Sequence, residues 1–60
     1  MSSTDILQEI LYWKELNLRW ENTLNFCLKH KLFIGEQRCR EVIAFNNATI
    51  GILASFITLK

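Results

Sequence analysis

Residues 6–31 read ILQEILYWKELNLRWENTLNFCLKHK, and this stretch decides the fold. Steps of four and three residues along it pick out a series with the heptad spacing of a helix seam, and six of its eight members are apolar. The series is Ile6, Ile10, Trp13, Asn17, Trp20, Leu24, Cys27 and Lys31. The opposite side is polar throughout, with Gln8, Glu15, Asn22 and Lys29. This pattern predicts an amphipathic α-helix.

The ends of this first helix carry their own signals. Thr4 or Asp5 can cap its start, because a short polar side chain accepts hydrogen bonds from the first backbone N–H groups. Lys29 falls in the last turn, where a cation meets the negative end of the helix dipole. Gly35 then follows as a residue able to take the left-handed conformation that ends many helices. We therefore expect the first helix over residues 4–33.

A second amphipathic pattern predicts a helix over residues 36–59. Its seam residues are Cys39, Ile43, Asn46, Ile50, Leu53 and Ile57. Residues 42–59 contain no charged side chain and have large apolar side chains on every side, which is typical of a helix buried all round. Small residues also recur in this segment at steps of four, three and four. They are Ala44, Ala48, Gly51 and Ser55, and we call them the small-residue stripe, which lets another helix approach closely.

The two patterns together predict an all-α fold, an antiparallel helical hairpin that forms one domain over residues 1–60. A turn near residues 34–35 would leave residues 4–9 beyond the end of the second helix, with Ile6 and Leu7 exposed unless another chain covers them. A chain of 60 residues buries only about 60% of the surface of its unfolded form, so its own core is marginal. We therefore expect oligomerisation or a partner to complete a coiled-coil-like bundle, or the sequence to be a fragment of a longer protein.

The residues able to do chemistry are few. Cys27, His30 and Cys39 are the only soft metal ligands, and their spacing matches no structural zinc site. A cysteine on an inward-facing seam has no cleft for a substrate, and two helices supply no oxyanion hole. We expect no enzyme activity, no metal and no cofactor, and we expect two unbridged thiols in a cytoplasmic or other intracellular reducing compartment.

The function that these patterns favour is a non-enzymatic protein–protein interaction or assembly module, binding itself or another helical chain. Trp13 and Trp20 lie seven residues apart on one face, and large aromatic side chains commonly anchor interfaces. Asn17 lies between them, where a buried polar residue can fix the register of a bundle. The predicted interface comprises Ile6, Ile10, Trp13, Asn17, Trp20, Leu24, Ala44, Ala48, Gly51 and Ser55.

Two alternatives remain open from the sequence. The net charge is only +1, but basic residues gather around the predicted turn, and such a patch can bind phosphate. A small hairpin regulator would bind nucleic acid through Lys29, Lys31, Arg38 and Arg40. The uncharged segment 42–59 has the length of a short transmembrane helix, so a membrane-associated subunit is the other alternative, which Asn46 and Asn47 disfavour.

Overall fold

The computed structural model describes residues 3–58, which form two α-helices packed side by side in an antiparallel hairpin. Helix α1 spans Ser3–Lys29 and helix α2 spans Phe33–Thr58. The molecule is a rod with extents of 45 × 14 × 12 Å. The predicted all-α hairpin is confirmed.

The predicted seam residues of both helices lie between them, except Lys31, which the structure places in the turn, where it is exposed. In α1 the most deeply buried residues are Ile6, Ile10, Asn17 and Cys27, and in α2 they are Cys39 and Asn46. Helix α1 begins at Ser3, so the prediction that Thr4 or Asp5 caps its start is wrong, and both lie inside its first turn. There Asp5 complements the helix dipole, as Lys29 does in the last turn. The heptad spacing keeps one stripe of each helix facing the other over its whole length.

The turn differs from the sequence-based prediction. Lys31 takes the left-handed conformation, with φ 56°, and no glycine of the described residues has a positive φ. The Leu32 N–H donates to the Cys27 carbonyl at 2.9 Å, and the Lys31 N–H donates to the Leu28 carbonyl at 3.3 Å. These two bonds make a Schellman motif, which satisfies carbonyls at the end of α1. The prediction that Gly35 ends the first helix is therefore wrong.

Gly35 has another role, in the first turn of α2. A Cβ atom built on it would lie 2.7 Å from the Sγ atom of Cys27, closer than real side chains approach. The missing side chain thus lets the start of α2 pack directly against the end of α1.

The early turn shifts the register of the hairpin. Helix α1 ends at Lys29 instead of residue 33, and α2 begins at Phe33 instead of residue 36. Asn17 therefore lies beside Asn47, their side chains joined at 2.8 Å, whereas a turn at residues 34–35 would have placed Asn17 near residue 52. Helix α2 consequently reaches the start of α1.

Ile6 shows the effect of this register. It is only 8% exposed, so the prediction that it needs a second chain to cover it is wrong. Its neighbour Leu7 remains 51% exposed. Leu59, the predicted end of the second helix, lies outside the described residues.

Candidate partner interface

The side of α2 that faces away from α1 is exposed and apolar. Three large side chains lie on it, Phe45 at 66% exposed, Ile52 at 61% and Phe56 at 60%. The small-residue stripe runs beside them and is also exposed. We call these seven residues the outer face of α2: Ala44, Phe45, Ala48, Gly51, Ile52, Ser55 and Phe56. Because residues 42–58 carry no charge, this surface has no charged side chain of its own.

The small-residue stripe forms an open groove within this outer face. A Cβ atom built on Gly51 meets nothing within 4 Å. The Ser55 hydroxyl donates to the Ile52 carbonyl of the same helix at 2.6 Å. The stripe does not pack against α1, and its occupation by another helix stays a prediction.

The predicted interface residues of α1 lie elsewhere. Ile6, Ile10 and Asn17 are buried against α2 of the same chain. Trp13, Trp20 and Leu24 are half-buried along the same seam. The structure therefore does not bring the α1 set and the small-residue stripe onto one surface. A contact of the two tryptophans with a second chain stays a prediction.

Other exposed apolar residues of α1 were not among the predicted interface residues. Leu7, Leu11 and Leu18 are each at least half exposed. Tyr12, also exposed, meets Trp13 edge to face with ring centroids 5.8 Å apart. Sequence alone does not show which part of the apolar side of the first helix is covered by α2, so these residues were not predicted as a site.

A layer of three asparagines crosses the middle of the seam. The Asn17 Nδ2 atom donates to the Asn47 Oδ1 atom at 2.8 Å. The Asn17 Oδ1 and Asn46 Nδ2 atoms are buried and have no hydrogen-bond partner within the part of the chain that the structure describes. Each such atom costs about 1–3 kcal/mol of stability. The layer therefore weakens the hairpin at its centre.

The two cysteines are free thiols buried near the turn. Burial raises the pKa of the Cys39 thiol, and the neighbouring Cys27 thiol raises it further. A protonated, buried thiol is a poor nucleophile and a poor metal ligand. Within residues 3–58 no three His, Cys, Asp or Glu side chains are grouped to hold a metal ion.

The raised pKa of Cys39 predicts a loss of stability at alkaline pH. The unfolded chain ionises this thiol near its ordinary value of about 8.5, while the folded chain still holds the proton. The contribution of the protonated Cys39 thiol to the free energy of unfolding is therefore complete below that pH. It is lost as the pH rises through the pKa of Cys39 in the folded chain. Urea unfolding should show a midpoint that falls above about pH 8.5, and Cys39→Ser should fall less steeply. Equal slopes for both proteins would contradict this prediction.

The end of the hairpin at the turn combines basic and apolar side chains. Lys29, Lys31, Arg38 and Arg40 are all exposed there. The Arg40 Nε atom lies 3.2 Å from the Glu36 Oε2 atom, as the one-turn spacing predicts.

Three apolar residues project at this same end, and we call them the apolar tip: Leu32, Phe33 and Ile34. They are 47%, 77% and 87% exposed. They were not predicted as a site, because the predicted first helix, residues 4–33, includes Leu32 and Phe33, and Ile34 falls in the predicted turn. The signal that could have found them is a run of apolar residues directly after Lys29, His30 and Lys31.

No helix in the described part of the chain is long and apolar enough to cross a membrane. Comparison of the chain with protein-family models, with curated proteins and with solved structures gave no match.

Proposed function

We propose that this chain is a non-enzymatic assembly module, in which two copies of the hairpin associate through the outer face of α2. The observation that carries the proposal is the exposure of Phe45, Ile52 and Phe56 on a helix surface without charges. Contiguous exposed apolar surface of this kind marks interaction sites in small proteins.

The shape of the outer face favours a second copy as the partner. It presents a ridge of three large side chains, Phe45, Ile52 and Phe56, and beside it the groove of the small-residue stripe. A two-fold dimer needs a self-complementary patch, and a face with both ridge and groove provides one. Packing the ridge of one α2 into the groove of the other would produce a four-helix bundle.

The marginal core of a single hairpin supports the same proposal. Only four apolar residues are deeply buried among the described residues, Ile6, Ile10, Cys27 and Cys39. Burial of three large side chains per copy would add about 1.5–3 kcal/mol for each one fully covered. Association would then stabilise the fold by mass action, so that stability rises with protein concentration.

Gly51→Leu tests the dimer directly. A Cβ atom at this position has no contact within 4 Å apart from its own stretch of helix, so we expect overpacking there to come from another chain. Within one hairpin the change should be stabilising, since leucine favours a helix over glycine by up to about 1 kcal/mol. In the dimer it should cost about 1–3 kcal/mol, and light scattering should show a lower mass than wild type at the same concentration.

Asn22→Leu is the matched control, because residue 22 lies on the exposed polar stripe of α1. It should leave the mass at the wild-type value, and circular dichroism should show both variants fully helical. If wild type has the mass of a single chain at high concentration, or if Gly51→Leu keeps the mass of a dimer, the outer face of α2 is not the interface.

A further inference from the structure

The apolar tip is held in place by a well-defined turn. The Schellman bonds tie Lys31 and Leu32 to the last turn of α1, and the Glu36 N–H donates to the Leu32 carbonyl at 2.9 Å to begin α2. Phe33 and Ile34 occupy the first turn of α2, where they are the two most exposed large apolar side chains of the described residues. They therefore project from the end of the rod as part of a helix.

The charged side chains around the apolar tip are mostly basic. Residues 22–35 contain no carboxylate, and Glu36, the first one after them, is paired with Arg40. Lys29, Lys31 and Arg38 have exposed side chains in this region. The dipoles of the two antiparallel helices oppose each other at the turn, so the side chains determine the local field. That field is positive.

We propose that the turn is a membrane-docking tip, which inserts Phe33 and Ile34 among the headgroups of an anionic lipid surface. Lys29, Lys31 and Arg38 would then bind the lipid phosphates. Arg38 follows Phe33 by five residues, or about 7.5 Å along the helix at 1.5 Å per residue. Apolar groups of interfacial helices lie about 5–10 Å into the headgroup boundary, so this spacing would put the backbone of Arg38 near the depth of the lipid phosphates, within reach of its side chain. The long axis of the hairpin would then be upright on the lipid surface, and the end where α1 begins and α2 ends would point away from it.

The exposed residues favour lipid over nucleic acid at this site. Phosphate contacts alone would suit either partner, since both are polyanions. Two of the three side chains of the apolar tip, Leu32 and Ile34, are aliphatic and offer no ring for a base to stack on, and Phe33 is the one aromatic side chain of the tip. An apolar tip with cations behind it matches an anionic bilayer, in which the charged headgroups lie outside the apolar region.

The test is co-sedimentation of the full chain with phosphatidylcholine vesicles, with and without phosphatidylserine. Wild type should bind the vesicles that contain phosphatidylserine and bind pure phosphatidylcholine much more weakly. The double variant Phe33→Ser/Ile34→Ser should bind at least about tenfold more weakly, because both apolar anchors are lost. Lys29→Gln/Arg38→Gln should weaken binding about fivefold for each cation removed.

Matched controls separate this site from the rest of the rod. Leu11→Ser removes an apolar side chain that is 60% exposed toward the other end of α1, and Arg19→Gln removes an exposed cation from the middle of α1. Both should bind vesicles as wild type does. Circular dichroism should show every variant folded, because none of the changed residues is buried.

Three results would overturn the proposal. The first is no difference between the two kinds of vesicle, and the second is unchanged binding by Phe33→Ser/Ile34→Ser. The third is tighter binding to a single-stranded RNA oligonucleotide than to the vesicles, which would assign the basic turn to nucleic acid. The mass of the vesicle-free protein is a separate measurement, and the tip variants should not change it. The lipid proposal and the dimer proposal can therefore fail independently.

Discussion

Gly35→Ala is expected to lower the stability of the hairpin, although alanine is the better helix former. The new methyl group would lie 2.7 Å from the Cys27 Sγ atom, and this sulfur is itself buried. Overpacking of this kind costs about 1–3 kcal/mol, while the helix propensity of alanine returns about 0.5–1 kcal/mol. The net loss, up to about 2.5 kcal/mol, should lower the melting temperature by up to about 20 °C in a chain of this size.

A double-mutant cycle identifies the cause of that loss. Cys27→Ala removes the sulfur that the new methyl group would meet, so Gly35→Ala should cost much less in the Cys27→Ala background than in wild type. Thermal unfolding of the four proteins at one concentration measures the coupling. If Gly35→Ala raises the melting temperature of wild type, the two helices are further apart at the turn than the structure has them.

Asn46→Leu is expected to change stability in the opposite direction. Asn46 is 2% exposed, and its Nδ2 donor has no partner among the described residues. Leucine has a similar volume and removes this unsatisfied donor, so the free energy of unfolding should rise by about 1–3 kcal/mol. Urea unfolding at one protein concentration gives the difference as a shift of the midpoint with an unchanged slope.

Asn47→Leu is the matched control for this gain. Asn47 is exposed, but its Oδ1 atom accepts the hydrogen bond from the Nδ2 atom of buried Asn17. The same substitution at this neighbouring position should therefore destabilise the hairpin by about 1–3 kcal/mol. A loss of stability in Asn46→Leu would show that its amide group has a partner in solution.

The heptad pattern was sufficient to predict the hairpin and its seam. The spacing of the apolar residues shows which side of each helix faces the other, and this side can be identified from the sequence of both helices. The turn could not be predicted in the same way. Gly35 looked like the left-handed residue that ends a helix, but Lys31 takes that conformation and Gly35 makes room for Cys27. Helix α2 also begins after Leu32, which offers no side-chain cap as a signal.

The error in the turn explains the errors at the candidate sites. A turn placed some three residues late changes which residues lie opposite each other, and it left Ile6 uncovered in the prediction. It also placed Phe33 in a first helix that in fact ends at Lys29, and Ile34 in the turn instead of the first turn of α2. The small-residue stripe was found from spacing alone, but spacing could not show that it faces away from α1.

The short turn at one end of the rod also sets an order of assembly. Cys27 and Gly35, in contact across the turn, are close in the chain, whereas Asn17 and Asn47 are 30 residues apart. The entropy lost in closing a loop grows with its length, so contacts beside the turn form at the lowest entropic cost. The contacts between the two helices should then form in sequence from the turn outward, first at Cys27, then at the asparagine layer and last at Ile6. In the native state the far end, where α2 covers Ile6, would be the last to close and the first to open.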